Sequence, residues 1–256
     1  MTRGTVRAVL AQSRVELRLT VRRGESLVVS IAIPVGILVF FTKVDVAQTS
    51  LRDPVQFLVP GVLALAVMST AMVSLGIATG YERRYGVLKR LGSTPLSRGG
   101  LLAAKTVSVL ALEVVQAVVL LAVGAALGWH AAGGVAAAVG LLLIGTVAFA
   151  GVGLFFAGTL RAEANLAVLN GLFLALLFLG GMAYPLDKLP GGLQAFARLL
   201  PAAALSDTVR QALSASTVSV GALVTLVAWA VGAVVTLAAW AVGIALIAAR
   251  AFRWEE

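Results

Sequence analysis

Six long apolar runs dominate this chain, at residues 26–42, 57–79, 101–127, 134–160, 165–183 and 218–249. The hydrocarbon core of a bilayer, about 30 Å thick, is crossed by roughly 20 apolar residues in a helix, so each run is a candidate span. Closed β-barrels also satisfy every backbone group in lipid, but their strands are short and alternate in polarity. These runs are continuous and rich in Leu, Ala and Val, which predicts helices. The rest of the chain does not dilute them: 60% of residues are hydrophobic and 12% charged, against roughly 25% charged in soluble domains. A water-soluble monomer has no way to hide that much apolar surface. The expected fold class is all-α, a polytopic membrane protein with six transmembrane helices.

The excess of 20 Lys and Arg over 11 Asp and Glu, a formal charge of +9, would suit a nucleic-acid binder, but its distribution points elsewhere. Arg3, Arg7, Arg14, Arg18, Arg22 and Arg23 precede the first run, and Arg83, Arg84, Lys89, Arg90, Arg98 and Lys105 follow the second. Arg161 follows the fourth, and Arg250 and Arg253 follow the sixth. Fifteen basic residues therefore fall on one side of the membrane and five, Lys43, Arg52, Lys188, Arg198 and Arg210, on the other. The positive-inside rule then puts both termini in the cytoplasm, as an even number of spans requires. The basic stretch before the first run is long and five further runs follow, so that run reads as an uncleaved helix rather than a signal peptide. Membrane lipids, and no nucleic acid, are the expected contacts.

Within residues 1–25, Val6, Leu10, Leu17 and Val21 recur at helical spacing while Arg3, Arg7, Arg14 and Arg18 take another face. That pattern predicts a helix lying on the cytoplasmic leaflet among anionic head groups, ended by Gly24; a solvated basic tail is the plainer alternative. Gly124, Gly128, Gly145, Gly151 and Gly153 are small positions that let helices approach closely in lipid. The stretch from Gly180 to Ser214 carries Pro185, Pro190, Gly191, Gly192 and Pro201 among charged residues, too interrupted to span. It is expected outside, with Leu193, Phe196, Ala197 and Leu200 at the spacing of a short amphipathic helix in the outer leaflet. The single histidine, His130, and Trp129, Trp229, Trp240 and Trp254 read as interfacial residues. The chain thus divides into an interfacial helix (1–25), spans one and two (26–79), a cytoplasmic segment (80–100), spans three to five (101–183), an external re-entrant segment (184–217), span six (218–249) and a tail (250–256).

Catalytic patterns do not occur. There is no GxxxxGK[ST] phosphate loop, no HExxH, no cysteine and one histidine, so no metal site is expected and any ATP must be bound by another chain. The segment that can meet such a chain is the charged island Tyr81-Glu82-Arg83-Arg84-Tyr85-Gly86-Val87-Leu88-Lys89-Arg90-Leu91. Val87, Leu88 and Leu91 fall on one helical face, rimmed by Arg84, Lys89 and Arg90, and Gly86 interrupts the helix near its start. Such a piece presents an apolar knob to a partner's groove. An ordinary solvated loop held by head groups accounts for the composition equally well.

The order of two motifs is more specific. The run from Glu82 through Gly92-Ser93-Thr94-Pro95-Leu96-Ser97-Arg98 resembles the E-R-x-x-G-x-L-x-x-L signature and following turn of type-2 ATP-binding-cassette exporter permeases, the multidrug branch in particular. Gly180-Gly181-Met182-Ala183-Tyr184-Pro185-Leu186-Asp187-Lys188-Leu189-Pro190, continuing to Asp207-Thr208-Val209-Arg210, is similar to the stretch after that family's fifth span. The resemblance implies a coupling helix on the cytoplasmic side, with Glu82, Arg83, Gly86, Val87, Leu88, Arg90 and Leu91 as the residues that meet a nucleotide-binding subunit. It implies ATP and Mg²⁺ bound by that partner ATPase, a second permease copy or related permease packed through the first and fifth spans, and a place in the bacterial plasma membrane. One departure stands out. Where many members have E-R-E, this chain has Glu82-Arg83-Arg84.

Glu113 lies within the third span, where a carboxylate costs about 2.5 kcal/mol or more unless protonated or paired. Gln116, one turn on, is placed to share a polar spot with it, and Lys105, roughly 12 Å away along the axis, is too distant to pair. Glu113, Gln116, Asn165 and Asn170 are candidates for the translocation path or a gate; interhelical glue is the competing role. The function expected is the permease subunit of an exporter for an amphiphilic drug, antibiotic, lipid or lipid-linked molecule. The alternatives are an ion-coupled carrier running on Glu113 and a non-transporting sensor or adaptor.

Overall fold

The computed structural model describes residues 11–16, 18, 24–43, 53–92, 98–214 and 218–231, and every regular element among them is helical. After a helical run at 11–16 come α1 (Gly24–Lys43), α2 (Pro54–Arg84), α3 (Val87–Gly92), α4 (Arg98–Ala126), α5 (Val135–Thr159) and α6 (Ala162–Leu179). A 3₁₀ turn (Leu186–Lys188), α7 (Gly191–Ala197), α8 (Pro201–Leu213) and α9 (Val220–Val231) complete the order. Four helices are long and apolar enough to cross a membrane: α2, the Ala104–Ala126 stretch of α4, α5 and α6. Two shorter apolar stretches, Ser30–Lys43 of α1 and α9, correspond to the first and last runs of the sequence. Residues 232–256, with Trp240, Trp254 and the rest of the expected sixth span, lie outside the described residues, as do 1–10 of the expected interfacial helix and 93–97 of the cytoplasmic segment.

Helix α2 is the hub. It begins with Pro54 in its first turn, where the missing N–H costs nothing, and 83% of its apolar stretch is buried against 22% for both α4 and α6. Leu58, Val59, Val62, Leu65, Met68 and Met72 are enclosed by α1, α4, α5, α6 and α8. Val114, Val115 and Val118 of α4, by contrast, are more than half exposed, as an outer helix in lipid can be, since acyl chains solvate them as well as protein does. At Met68–Ser74 the winding of α2 widens to a π-helix. Within this stretch α2 and α5 meet so closely that a Cβ on Gly153 would strike the Met72 carbonyl, so glycine is required there by space.

Two local expectations need correction. Gly128 is not a packing position within a helix: α4 stops at Ala126, and Gly128 turns the chain at φ +94°. The short helix after Pro190 spans Gly191–Ala197 only, because Leu200 adopts extended backbone and caps the next helix. That next helix, α8, is the larger feature of the segment. Pro201, Ala202, Ala203, Ala204, Leu205 and Val209 are all buried, small side chains letting α8 lie against α2 and α5, with Leu205 seated over Gly145.

Candidate functional site

At the end of α2 that carries the basic residues, the helix closes with Tyr85 N–H to the Tyr81 carbonyl (2.9 Å) and Gly86 N–H to the Arg83 carbonyl (3.2 Å). Gly86 then takes φ +69°, a left-handed conformation that costs other residues strain, and α3 restarts at once with Arg90 N–H on the Gly86 carbonyl. Val87 and Leu88 sit half-buried on α3, and Arg90 is exposed.

The three charged residues before this bend each reach a different element. Glu82 meets Lys105 Nζ of α4 through both carboxylate oxygens, at 2.7 and 2.8 Å, and the same ammonium lies 3.5 Å from Glu16 of the N-terminal helical run. Lys105 is only 4% exposed, a burial that an ammonium tolerates only when paired. Arg83 donates to the carbonyls of Gly158 and Leu160, capping the end of α5 with a cation where the helix dipole favours one. Arg84 pairs with Glu163 in the first turn of α6.

Inside the bundle the polar residues form separate interhelical bridges. Thr146 Oγ1 of α5 donates to Glu113 Oε2 at 2.7 Å. Gln116 accepts from Thr70 Oγ1 in the π-helical turn (2.8 Å) and donates to the Ser30 carbonyl of α1 (3.1 Å). Asn165 Nδ2 donates to the Gly76 carbonyl (2.9 Å), joining α6 to α2, whereas Asn170 Nδ2 bonds back to Leu166 in its own helix. A cavity of about 600 Å³ runs beside the π-helical turn between α1, α2, α4 and α6, with Ser69, Ser74, Tyr81, Lys105, Leu112 and Phe173 on its wall.

The opposite end of the bundle is held by Arg210 of α8. Its guanidinium donates to Asp207 Oδ1 (2.9 Å) and to the Gly181 carbonyl (2.8 Å), and lies 3.8 Å from the Phe57 ring centroid. Burial pushes the Asp207 carboxyl above its ordinary range, with Arg210 pulling it back; burial likewise lowers Arg210, countered by Asp207. Ser206 Oγ donates to the Gly180 carbonyl at 2.6 Å, so α8 is tied to the turn that follows α6.

A family model described as ABC-2 type transporter matches residues 7–214. The chain belongs to the ABC-2 type transporter family. It is accordingly a multi-pass membrane protein and a permease subunit of an ABC transporter, a family whose membrane chains associate with ABC ATPase subunits. A comparison with curated proteins finds no match.

Within this ABC-2 permease, Glu82, Arg83, Gly86, Val87, Leu88 and Arg90 gather at one end of α2, but the first two are bonded to α4 and α5, which leaves Val87, Leu88 and Arg90 on α3 as the surface for a partner to meet. The Leu91 side chain lies outside what is described. Glu113 and Gln116 do not share partners as one polar spot, nor does Glu113 bond Asn165 or Asn170: a residue one turn along α4 is rotated toward α1 and α2 while Glu113 looks to α5. Sequence reasoning did not single out Lys105, Thr146 or Glu163 as partners. Each is the far end of a long-range contact; for Lys105 and Glu163 the one available signal was charge complementarity with the Glu82-Arg83-Arg84 run, and for Thr146 there was none.

Proposed function

We propose that this permease is the membrane half of an ATP-driven exporter, working as a pair of such chains above two ATPase subunits that dock on α3 at the cytoplasmic side. The observation that carries the reading is the junction at Gly86. A short helix with a half-buried apolar face is hinged directly to the most enclosed helix of the bundle, and the residues just before the hinge are bonded to α4, α5 and α6. A push on α3 is therefore delivered to four helices at once. ATP-driven closure of the ATPase pair shifts α3 and biases the bundle between inward-open and outward-open states; the work lies in the partner's differential affinity for those states. ATP and Mg²⁺ belong to that partner.

The cavity beside α2, with apolar Ile33, Leu112 and Phe173 and several hydroxyls on its wall, supports an amphiphilic cargo leaving the membrane. Leu88→Glu tests the docking face. Purified with its ATPase in lipid, the variant should keep its melting temperature while ATPase capture and efflux fall about ten-fold, ~1.4 kcal/mol at a docking contact. Unchanged capture and efflux overturn the docking assignment, and cargo movement driven by a proton gradient without any ATPase overturns the exporter reading.

A further inference from the structure

The cavity beside α2 occupies one half of the bundle. Its α2 wall begins in the π-helical turn and ends at Tyr85, the residue before Gly86, a length of roughly 20 Å at 1.5 Å per residue. Its α4 wall is confined to residues 105–112, early in that helix, and residues 54–68 of α2 are not on it. The cavity therefore runs from mid-bundle to the basic end and stops short of the Arg210 end. At the basic end its wall is shared, among the described residues, by three elements: Tyr81 and Tyr85 of α2, Lys105 and Ser108 of α4, and Glu16 of the N-terminal helical run.

That run lies against the start of α4. Ser13 is 3% exposed; its Oγ donates to the Ala104 carbonyl at 3.4 Å, and Ser108 Oγ reaches the Ser13 carbonyl at the same distance. Gln12 Nε2 donates to Glu16 Oε1 at 3.1 Å, and that oxygen lies 3.5 Å from Lys105 Nζ. These three contacts with α4 sit at the long edge of hydrogen-bond geometry, whereas Glu82 holds Lys105 at 2.7 Å. One ammonium thus serves two carboxylates from two elements, and whatever draws it toward one lengthens its contact with the other. Glu82 stands in the last turn of α2, four residues before Gly86, so it travels with the hinge. That gives the cluster two discrete arrangements, the kind of element that a movement can bias.

We propose that the N-terminal helical run is the door of this cavity at the basic end, and that Lys105, exchanged between Glu82 and Glu16, is the latch that ties the door to the movement of α3. With Lys105 on Glu82 the run leans loosely on α4; when the last turn of α2 withdraws, Lys105 passes to Glu16 and draws the run closed. The link to α3 rests on the exporter reading; the door itself does not. The test uses the full chain in lipid nanodiscs without ATPase. The chain has no cysteine, so Ser74→Cys, half-buried on the cavity wall, is the one thiol a water-soluble maleimide can modify, and its labelling rate reads the opening of the door.

Glu16→Gln should free the run from Lys105 and speed labelling roughly three-fold, whereas Glu82→Gln, which cedes Lys105 to Glu16, should slow it by a factor of about three. Glu82→Asp, with its charge kept on a shorter arm, should slow it less. A cluster that only holds the fold together moves Glu16→Gln and Glu82→Gln in the same direction. Thr225→Cys on α9, used in place of Ser74→Cys, should label at one rate in every background. Shifts of one sign, or no shift in either variant at unchanged melting temperature, overturn the proposal. Opposite shifts in a chain whose efflux runs without any ATPase would uphold the door and sink the exporter reading. Shifts of one sign alongside uncoupled efflux in Leu88→Glu would do the reverse.

Discussion

The two ends of α2 are both fastened by arginine, yet in opposite ways. At the far end Arg210 is enclosed, its side chain 18% exposed, and one guanidinium serves Asp207, Gly181 and the Phe57 ring together. At the basic end Arg83 and Arg84 are exposed and each serves one neighbouring helix. An exposed pair contributes about 0–1 kcal/mol and exchanges readily with water, whereas opening a half-buried, hydrogen-bonded one costs about 1.5–3 kcal/mol. The far end is built as an anchor and the basic end as an adjustable clasp. Between them Lys105 is the exception, a buried cation inside the clasp that keeps α4 in register with the end of α2.

Arg210→Ala should break the contrast most severely. It leaves the half-buried Asp207 without its paired cation and the Gly181 carbonyl without its Arg210 donor, a loss of about 2–3 kcal/mol read as a drop in melting temperature in micelles. Lys105→Met, which strands Glu82 and Glu16, should cost about 2 kcal/mol, and limited proteolysis should show the N-terminal helical run released from α4. Midway between the ends, Thr146→Val removes the donor to Glu113 and should cost about 1 kcal/mol; Glu113→Gln, which keeps an acceptor for Thr146, should be close to neutral in the same melting assay. Arg84→Glu should cost about 0.5 kcal/mol, diminish with added salt, and be restored by the exchanged partner Glu163→Arg. An Arg84→Glu loss as large as that of Arg210→Ala would end the distinction between anchor and clasp.

Much of this architecture is readable in the residues. Continuous apolar runs mark α2, α4, α5 and α6, Gly86 marks the bend before α3, and the proline-broken stretch after Gly180 marks a segment that does not span. Helix α8 is less legible: Pro201, three alanines and a few polar residues resemble a surface helix, and its burial depends on Gly145 and the α2 surface opening a slot for it. The π turn is also unreadable, since Met68–Ser74 is an ordinary helical sequence. Arg84 shows the same limit. As a departure from E-R-E it looks like a lost acidic contact, and only the proximity of Glu163 reveals a new pair.

What the sequence alone determined was class and punctuation: an all-helical membrane chain of the ABC-2 type, with a charged bend at one end. Lipid provides no hydrogen bonds to the backbone, so a long apolar run has little choice but helix. Which helices touch, and which polar groups meet, was decided by tertiary structure. In a bilayer nearly every helix face is apolar, so hydropathy does not encode rotation, and the pairing of Glu113 with Thr146, of Gln116 with Thr70 and of Lys105 with Glu82 follows from steric fit at small residues such as Gly153.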